Sequence, residues 1–409
     1  MNEKNFTANA FIKSLTTFLN VYFIAEMNAA LFGEKRTGEL VPIVTPTGTD
    51  YAFVPNKLPP NWELPDRLWP MVVEARTALS KLDGIGQTLP DQELLLEPLK
   101  KREAITSSRI EGTYATAQEL MLFELSQKVA RSANDPANSW REVHNYRRTL
   151  GHGIGQLQTL PFCSRLFRDL HSMLMSGVHG HQARPGQWRD HQVAIGSDRR
   201  FVPPPVSQML QALDDLERFI NDSAKYDPLV RAYIVHYQFE AIHPFADGNG
   251  RIGRVLLSLM IARWCNLSAP WLYMSPFYEK FRDEYVSKMF DISSNGDWET
   301  WIEFCLRGTI QQSNDAISKC ERLSRLRTNF LDRMQSSGSS RTDRMINDLF
   351  KNPIVRVSIL RRKYAVTYPT AQADVDKLVN ANILRLLENV HPKAYYAPEI
   401  FGLAYPEGS

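Results

Sequence analysis

Residues 243–254 read His-Pro-Phe-Ala-Asp-Gly-Asn-Gly-Arg-Ile-Gly-Arg, and we call them the signature segment. The apolar spacing of residues 229–242 predicts a helix directly before it, and Pro244 prevents that helix from continuing unchanged. A second helix is predicted to begin at Asn249 or Gly250. The segment is therefore expected to form a bend between two helices, with its histidine where the first helix ends.

The side chains of the signature segment suit a bound phosphate. A helix start presents free N–H groups and the positive end of the helix dipole, and Gly248 and Gly250 leave those groups uncovered. Arg251 and Arg254 are three residues apart and so lie on one helix face. Asp247 supplies the hard oxygen ligand that Mg²⁺ prefers. Together with the imidazole, these groups predict phosphate chemistry on a nucleotide.

Two common nucleotide-binding motifs are excluded. Residues 248–253 match G-x-G-x-x-G, but the dinucleotide-binding fold needs a preceding strand and an acidic residue about twenty positions later. Here a helix is predicted before the segment, and residues 271–273 are Trp-Leu-Tyr. The G-K-[ST] ending of a Walker A loop is also missing.

The signature segment resembles the Fic family motif H-x-F-x-D/E-G-N-G-R-x-x-R at every defined position, within a resemblance that runs from about residue 69 to residue 301. The resemblance implies a mainly α fold, in which a helical Fic core carries a β-hairpin flap over the active site. Members of this family mostly transfer AMP from ATP to a hydroxyl side chain of a target protein.

The resemblance assigns roles residue by residue. His243 looks like the general base that deprotonates a Ser, Thr or Tyr hydroxyl, and Asp247 looks like the Mg²⁺ ligand. Arg251 resembles the contact to the β-phosphate and Arg254 the contact to the γ-phosphate. The implied ATP-binding residues are Gly248, Asn249, Gly250, Arg251, Ile252, Gly253 and Arg254.

A helix predicted from Pro276 follows the core, and Lys280 and Tyr278 on it are candidate contacts for adenosine. The alternative is that this helix start only covers the core.

A second resemblance concerns residues 107–112, Ser-Ser-Arg-Ile-Glu-Gly. Pro98 and Gly112 predict a helix that places Glu111 in its last turn, where the helix dipole disfavours an anion. The segment resembles the Fic inhibitory motif [S/T]-x-x-x-E-[G/N]. The resemblance implies that Ser107 and Glu111 are inhibitory, and that the glutamate pairs with Arg254 and blocks the γ-phosphate. An ordinary exposed glutamate before a glycine cap is the alternative.

The chain divides into four predicted parts. Residues 1–66 are rich in turn formers and predicted to be irregular. Residues 67–130 are expected to hold N-terminal helices with the inhibitory helix, and residues 131–334 the Fic catalytic domain. Residues 187–202 predict a hairpin that resembles the family's flap and would hold a target protein by strand addition. A Ser/Gly-rich linker precedes the fourth part.

Residues 341–405 form the fourth part, where three short helices and a terminal hairpin predict a winged-helix-like domain. The predicted helices cover Arg344–Phe350, Val357–Tyr364 and Pro369–Ala381. Basic residues would favour DNA, but Asp374 and Asp376 on the third helix oppose insertion among phosphates. Protein contact is therefore favoured over DNA.

Amino-acid composition limits the partners and the cellular location expected for the protein. The 48 Lys and Arg residues nearly balance 45 Asp and Glu residues, a formal charge of +3, so nucleic-acid binding is not expected to be the main function. Residues 11–23 are too short and too polar for a signal peptide or a membrane span. Four cysteines far apart make no disulfide framework. A cytoplasmic protein without a membrane partner is expected.

These observations predict an auto-inhibited protein adenylyltransferase that uses ATP with Mg²⁺ and releases pyrophosphate. One alternative is a Fic enzyme that removes AMP or moves another phosphate group. Another alternative is a non-enzymatic winged-helix regulator. Homodimers and self-modification are common in the family, so both are implied by the resemblance.

Overall fold

The computed structural model describes residues 27–405 except 47, 89–90, 128, 133, 179–183, 197–200, 223–224 and 336–338. The described part is mainly helical, with two small antiparallel sheets. No helix in these ranges combines the length and the apolar character needed to cross a membrane. The mainly α fold predicted from the sequence is confirmed.

The first part of the chain holds the hairpin β1 (Gly38–Thr45) and β2 (Gly48–Pro55), then α1 (Trp69–Gln87), α2 (Glu93–Ile110), α3 (Ala117–Leu125), α4 (Ala137–Gln156) and α5 (Ser164–Leu174). The middle holds α6 (Val206–Asp222), α7 (Pro228–Ile242), α8 (Asn249–Trp264), α9 (Ser275–Lys280), α10 (Arg282–Asn295) and α11 (Trp298–Met334). The last part holds α12 (Ser340–Lys351), β3 (Ile354–Val355), α13 (Val357–Tyr364), α14 (Tyr368–Asn380), β4 (Arg385–Leu387), β5 (Ala394–Tyr396) and α15 (Pro398–Ala404).

Helices α7 and α8 pack against each other. Both are buried on most sides, and α8 buries Arg251 and Arg254 together with its apolar residues. Phe239, Ile252 and Val255 are fully covered. The signature segment therefore joins two largely buried helices, which fix its backbone.

The prediction of an irregular segment over residues 1–66 is wrong for residues 38–55. These residues form β1 and β2, paired antiparallel from Gly38 opposite Pro55 to Thr45 opposite Gly48. Pro42 lies inside β1, which a two-stranded ribbon tolerates because each strand has an unpaired edge. Residues 1–26 lie outside the described part of the chain.

The predicted start of the inhibitory helix at Pro98 is also wrong. Helix α2 begins at Glu93 and contains Pro98 in its second turn. The proline loses one backbone hydrogen bond, and the burial of Leu94, Leu95 and Leu96 in the turn before it offsets that loss.

The described residues of the predicted flap, residues 187–202, do not form two paired strands. Within 187–202, the described residues form one bridge, in which the Ile195 N–H donates to the Phe201 carbonyl over 2.8 Å. Farther along, the Gln192 side chain donates to the Pro203 carbonyl over 2.8 Å. Prolines 203–205 offer no N–H groups, so side chains replace strand pairing there. The sequence places the turn of this hairpin near Ser197, which lies outside the described residues.

The apolar pattern predicts one helix over residues 276–290, but the structure has two helices, α9 and α10, which meet at Phe281. The pattern also predicts a helix over residues 298–325, and the observed helix α11 is longer, running to Met334.

Residues 340–404 follow the predicted order of three helices and a terminal hairpin, with a third strand. The sheet order is β3-β5-β4, all antiparallel. This unit packs on α2, where the buried Lys101 ammonium donates to the Lys351 carbonyl over 2.8 Å. The winged-helix assignment and the domain boundaries stay predictions.

Candidate active site

The bend between α7 and α8 is set by two left-handed residues. His243 caps α7 with φ 51° and ψ 62°, and its N–H donates to the Phe239 carbonyl over 3.0 Å. Gly248 has φ 80° and precedes α8, as a glycine does at low steric cost. The predicted end of one helix at His243 and the predicted start of the next at Asn249 are confirmed by these bounds.

The Asn249 side chain braces the bend from within. Its amide group donates to the Phe245 carbonyl, and its Oδ1 accepts from the Phe245 N–H, both over 2.8 Å. The Phe245 ring is fully buried. The side chain of Asn249 is therefore committed to the loop, and its backbone N–H is the group left for an anion.

Replacing Asn249 with Ala leaves both backbone groups of Phe245 without partners in a buried site. Each such loss costs about 1–3 kcal/mol, so we expect the free energy of unfolding to fall by about 2–4 kcal/mol. Urea unfolding followed by circular dichroism measures this. Asn380→Ala, at an exposed position of α14, is the matched control and should stay within about 0.5 kcal/mol of the parent. Equal stabilities for both variants would contradict the bracing role.

His171 on α5 supports the bend through contacts with Phe245 and Asp247. Its ring stacks on Phe245 at a centroid distance of 3.8 Å and an interplanar angle of 6°. Its Nδ1 accepts from the Gly186 N–H over 2.9 Å, so Nε2 carries the proton and donates to the Asp247 carbonyl over 3.0 Å. Burial lowers the pKa of His171 to about 4, which keeps this neutral arrangement.

Arg189 ties the segment before α6 to the bend. This buried guanidinium donates from Nε to the His243 carbonyl over 2.9 Å, and the Arg189 N–H donates to the Pro244 carbonyl over 2.9 Å. Another guanidinium nitrogen donates to the Pro204 carbonyl. The backbone of His243 is thus clamped from outside the signature segment.

The His243 imidazole is poised as a neutral base. Its Nδ1 lies 3.3 Å from the Glu240 carbonyl, which can only accept, so Nδ1 carries the proton and Nε2 keeps its lone pair. Burial is the main cause that lowers the pKa of His243 to about 4. The ring therefore stays uncharged at neutral pH and is able to take a proton at Nε2.

Helix α8 begins without a side-chain cap. Its first intrahelical bond runs from the Ile252 N–H to the Gly248 carbonyl over 3.0 Å. The N–H groups of residues 249–251 therefore have no intrahelical acceptor, which makes this start an anion site.

Both arginines of the signature segment are buried and held by carboxylates. Arg251 donates from Nη1 to Glu142 over 2.7 Å, and its Nη2 lies 3.5 Å from Asp247 Oδ1. The same Glu142 oxygen accepts from the Thr113 hydroxyl over 2.9 Å. Arg254 lies one turn farther along α8.

The structure brings Ser107 and Glu111 to Arg254. The guanidinium donates from Nε to the Ser107 hydroxyl over 2.8 Å, and from Nη2 to the Ser107 carbonyl over 3.0 Å and to Glu111 Oε1 over 2.7 Å. Burial alone would raise the pKa of Glu111, but the Arg254 charge outweighs it and the pKa lies below its ordinary value. The carboxylate is ionised at neutral pH.

The Glu111 carboxylate lies over the first turn of α8. A Cβ at position 250 would come within 2.2 Å of Glu111 Oε1, so only glycine leaves room for it. The carboxylate therefore reaches the helix start as well as Arg254, where the dipole favours a negative charge. An anion bound at this helix start would meet the same two attractions.

Asp247 is the one acidic side chain of the signature segment. Its Oδ1 accepts from the Gly248 N–H over 2.6 Å, and its side chain is 59% exposed. No cluster of three or more His, Cys, Asp or Glu residues suited to a metal ion occurs among the described residues. Because Mg²⁺ on a nucleotide takes one or two carboxylates with the phosphates and waters, a single open carboxylate beside an anion site fits that ion.

The two candidate contacts for adenosine, Tyr278 and Lys280, lie outside the signature segment. The Tyr278 ring is fully buried and stacks on Tyr285 at 4.2 Å, so it is a core residue. Lys280 ends α9 at an exposed position, with its ammonium 5.2 Å from the Phe281 ring centroid. No described hydrogen bond or ion pair joins Lys280 to the signature segment, and its role stays a prediction.

Comparison with known families decides the classification. Residues 69–155 match the Fic/DOC family N-terminal model, and residues 161–261, which include the whole signature segment, match the Fic/DOC family model. The chain belongs to the Fic/DOC family. The resemblance recognised from the signature segment is confirmed.

Curated relatives of this Fic protein are named protein adenylyltransferases. Fic-1 of Caenorhabditis elegans is 40% identical over 80 residues, which cover 19% of this chain and 15% of that protein. A probable adenylyltransferase of Aquifex aeolicus is 25% identical over 169 residues, which cover 41% of this chain and 50% of that protein. The chain thus spans at most half the length of these relatives.

A solved Fic family protein from Desulfovibrio desulfuricans superimposes with a TM-score of 0.55 at 18% identity. The match covers 83% of this chain and 98% of that one. At this identity it supports the mainly helical fold.

Sequence reasoning missed three side chains of this Fic site: His171, Arg189 and Glu142. Each lies on a separate element, 54–109 residues from the partner it holds. None belongs to a spaced motif, so no local pattern marks it. His171 and Arg189 are buried and Glu142 is half-buried, which becomes visible only in three dimensions.

Proposed function

We propose that this Fic protein transfers AMP from ATP to a Ser, Thr or Tyr hydroxyl of a target protein, and that Glu111 inhibits the transfer. One observation carries the proposal. A neutral imidazole, His243, ends α7 at one side of the bend, and the uncapped start of α8 with two buried arginines follows at the other. The names of the curated relatives support ATP as the AMP donor.

In the proposed reaction, His243 acts as the general base. Nε2 accepts the proton of the target hydroxyl while the hydroxyl oxygen attacks the α-phosphorus of ATP. The bond from the α-phosphorus to the oxygen that bridges to the β-phosphate breaks, and pyrophosphate leaves. The Nδ1–H bond to the Glu240 carbonyl and the Arg189 clamp orient the ring. Base catalysis of this kind contributes roughly 10²–10⁴-fold.

The remaining groups position the phosphates. The free N–H groups of residues 249–251 and the dipole of α8 attract the phosphate chain. Arg251 and Arg254 then neutralise the β- and γ-phosphates. Asp247 is the residue that would hold Mg²⁺, which supplies charge neutralisation for the phosphates when bound.

Inhibition follows from competition for one site. Glu111 Oε1 takes the Arg254 guanidinium, and the carboxylate lies against Gly250 at the helix start. A γ-phosphate needs the same groups, so it binds productively only after Glu111 leaves. Release of α2 from Arg254 is then the step that activates the enzyme.

Labelled ATP tests the proposed function. The protein is incubated with Mg²⁺ and cell extract, and with ATP carrying ³²P in either the α or the γ position. Label from the α position alone, on this chain or on a target, supports AMP transfer. Label from the γ position would indicate phosphate transfer, and loss of AMP from a modified target would indicate the reverse reaction.

We propose residues 187–202 as the segment that contacts the target.

The acidity dependence of the reaction tests the state of His243. The base works only when neutral, and burial lowers its pKa to about 4, so activity is lost as the pH falls through that value. We expect kcat/KM to stay level from about pH 8 to about pH 5 and to drop below that. A midpoint near the ordinary histidine pKa of 6.5 would contradict the buried, neutral base. Circular dichroism at each pH separates this loss from unfolding.

A further inference from the structure

Positive charge is concentrated in the C-terminal unit, which we define as residues 341–405. This unit has ten Lys and Arg residues against six Asp and Glu residues, a formal net charge of +4. The whole chain carries +3, so the other residues together carry −1. A positive excess confined to one unit indicates an anionic partner for that unit.

Most of this charge is exposed and unpaired. Six exposed cations of the unit have no ion pair with any described residue: Arg344, Arg361, Arg362, Lys377, Arg385 and Lys393. Lys363, next to the two arginines, is paired with Asp348 over 2.6 Å. Cations without carboxylate partners keep their full charge for a ligand.

Asp374 and Asp376 are the two acidic residues of the third helix that counted against DNA binding, and they differ in exposure. Asp374 is buried and bound by the Arg341 guanidinium, whose Nη2 lies 3.1 Å from Oδ1. It faces the interior of the unit and its charge is neutralised there. Asp376 is exposed and accepts from the Gln372 side chain over 2.8 Å. The argument against DNA therefore loses one of its two carboxylates.

Helix α14 leaves one face free. Ala371, Val375 and Leu378 are buried against the rest of the unit. The opposite face presents small and polar side chains with one cation and one anion: Thr370, Gln372, Ala373, Asp376, Lys377 and Asn380. Hydroxyl, amide and ammonium groups bind base edges in the major groove, and a methyl group contacts thymine.

We propose that the C-terminal unit binds double-stranded DNA, with α14 in the major groove and the unpaired cations on the phosphates. Helix α13 ends at Tyr364 and α14 begins at Tyr368, a three-residue turn of the length found in helix-turn-helix pairs. In such pairs the second helix enters the groove. The turn between β4 and β5 carries Lys393 to the same unit's surface.

A protein partner fits this surface less well. Among the described residues of the unit, Tyr368 and Leu386 are the exposed large apolar side chains. The centre of a protein interface is enriched in aromatic residues and depleted of lysine. Six exposed cations without ion pairs against two apolar side chains favour a polyanion.

Fluorescence anisotropy of a labelled mixed-sequence duplex of about 25 base pairs, long enough for two half-sites, tests the proposal with the full chain. At about 50 mM salt the wild-type protein is expected to bind, and log K should fall with log salt at about −0.9 per phosphate contacted. The double variant Arg361→Glu, Arg362→Glu should weaken binding at least tenfold and flatten the salt slope by about two.

The matched control is Arg322→Glu, Arg325→Glu, which makes the same charge change on exposed residues of α11. It should bind DNA nearly as well as the wild type. Equal weakening by both doubles, or no salt-dependent binding by the wild type, would overturn the proposal. So would normal DNA binding by the Arg361, Arg362 double. If instead that double lost modification of a target protein while DNA never bound, the surface would be a protein contact. Circular dichroism confirms that each variant is folded.

Discussion

Replacing Glu111 with Gly is expected to raise AMP transfer by about 10- to 100-fold. The carboxylate contributes one charge-assisted hydrogen bond to Arg254, and such bonds contribute about 1.5–3 kcal/mol. Because about 1.4 kcal/mol is a tenfold change, removal of the carboxylate should give the γ-phosphate this advantage. The carboxylate is 37% exposed, so the lower end of the range is the better expectation. Transfer of α-³²P label to protein measures the rate.

Two further variants separate inhibition from other effects of the substitution. Glu111→Gln keeps an acceptor for Arg254 without the charge, so its rate should lie between the wild type and Glu111→Gly. Glu388→Gly makes the same side-chain change in an exposed turn and should leave the rate unchanged. Unchanged transfer in Glu111→Gly would mean that the contact with Arg254 does not inhibit the enzyme.

Replacing His243 with Asn in the Glu111→Gly protein is expected to lower AMP transfer by roughly 10²–10⁴-fold, the usual contribution of a general base. Asparagine tolerates the left-handed backbone of this residue, φ 51°, better than most side chains do. It therefore removes the base without straining the bend. Initial rates with saturating ATP measure the loss.

The control for this variant is His391→Asn, at an exposed position of the C-terminal unit, which should keep full activity. Binding of ATP to His243→Asn, followed by calorimetry, should stay close to that of the parent, because the ring is not a phosphate ligand in the proposed reaction. A rate loss of less than about tenfold would place the base elsewhere.

The parts of the site that were predictable are local in sequence. The bend at residues 243–248 follows from one proline, one glycine and the apolar pattern of two helices. The placement of Arg251 and Arg254 on one face of α8 follows from their three-residue spacing. The pairing of Glu111 with Arg254 joins residues 143 positions apart, so it came from the family resemblance and not from any physical pattern in the sequence.

The parts that were not predictable depend on packing. Helix propensity alone predicts that a helix does not extend across Pro98. Helix α2 does so because Leu94, Leu95 and Leu96 in the turn before it are buried. Side chains of Arg189 and Gln192 satisfy carbonyls that a flap hairpin would have used. The sequence predicts a surface charge at Asp374, but this residue is buried and paired with Arg341.

A crystal structure of the Glu111→Gly protein with ATP and Mg²⁺ tests the central claim most directly. The proposal predicts the β- and γ-phosphates on the N–H groups that begin α8, with Arg254 turned from Ser107 toward the γ-phosphate and His243 Nε2 facing the α-phosphorus. A triphosphate bound away from this helix start, or an imidazole facing away from the α-phosphorus, would contradict it.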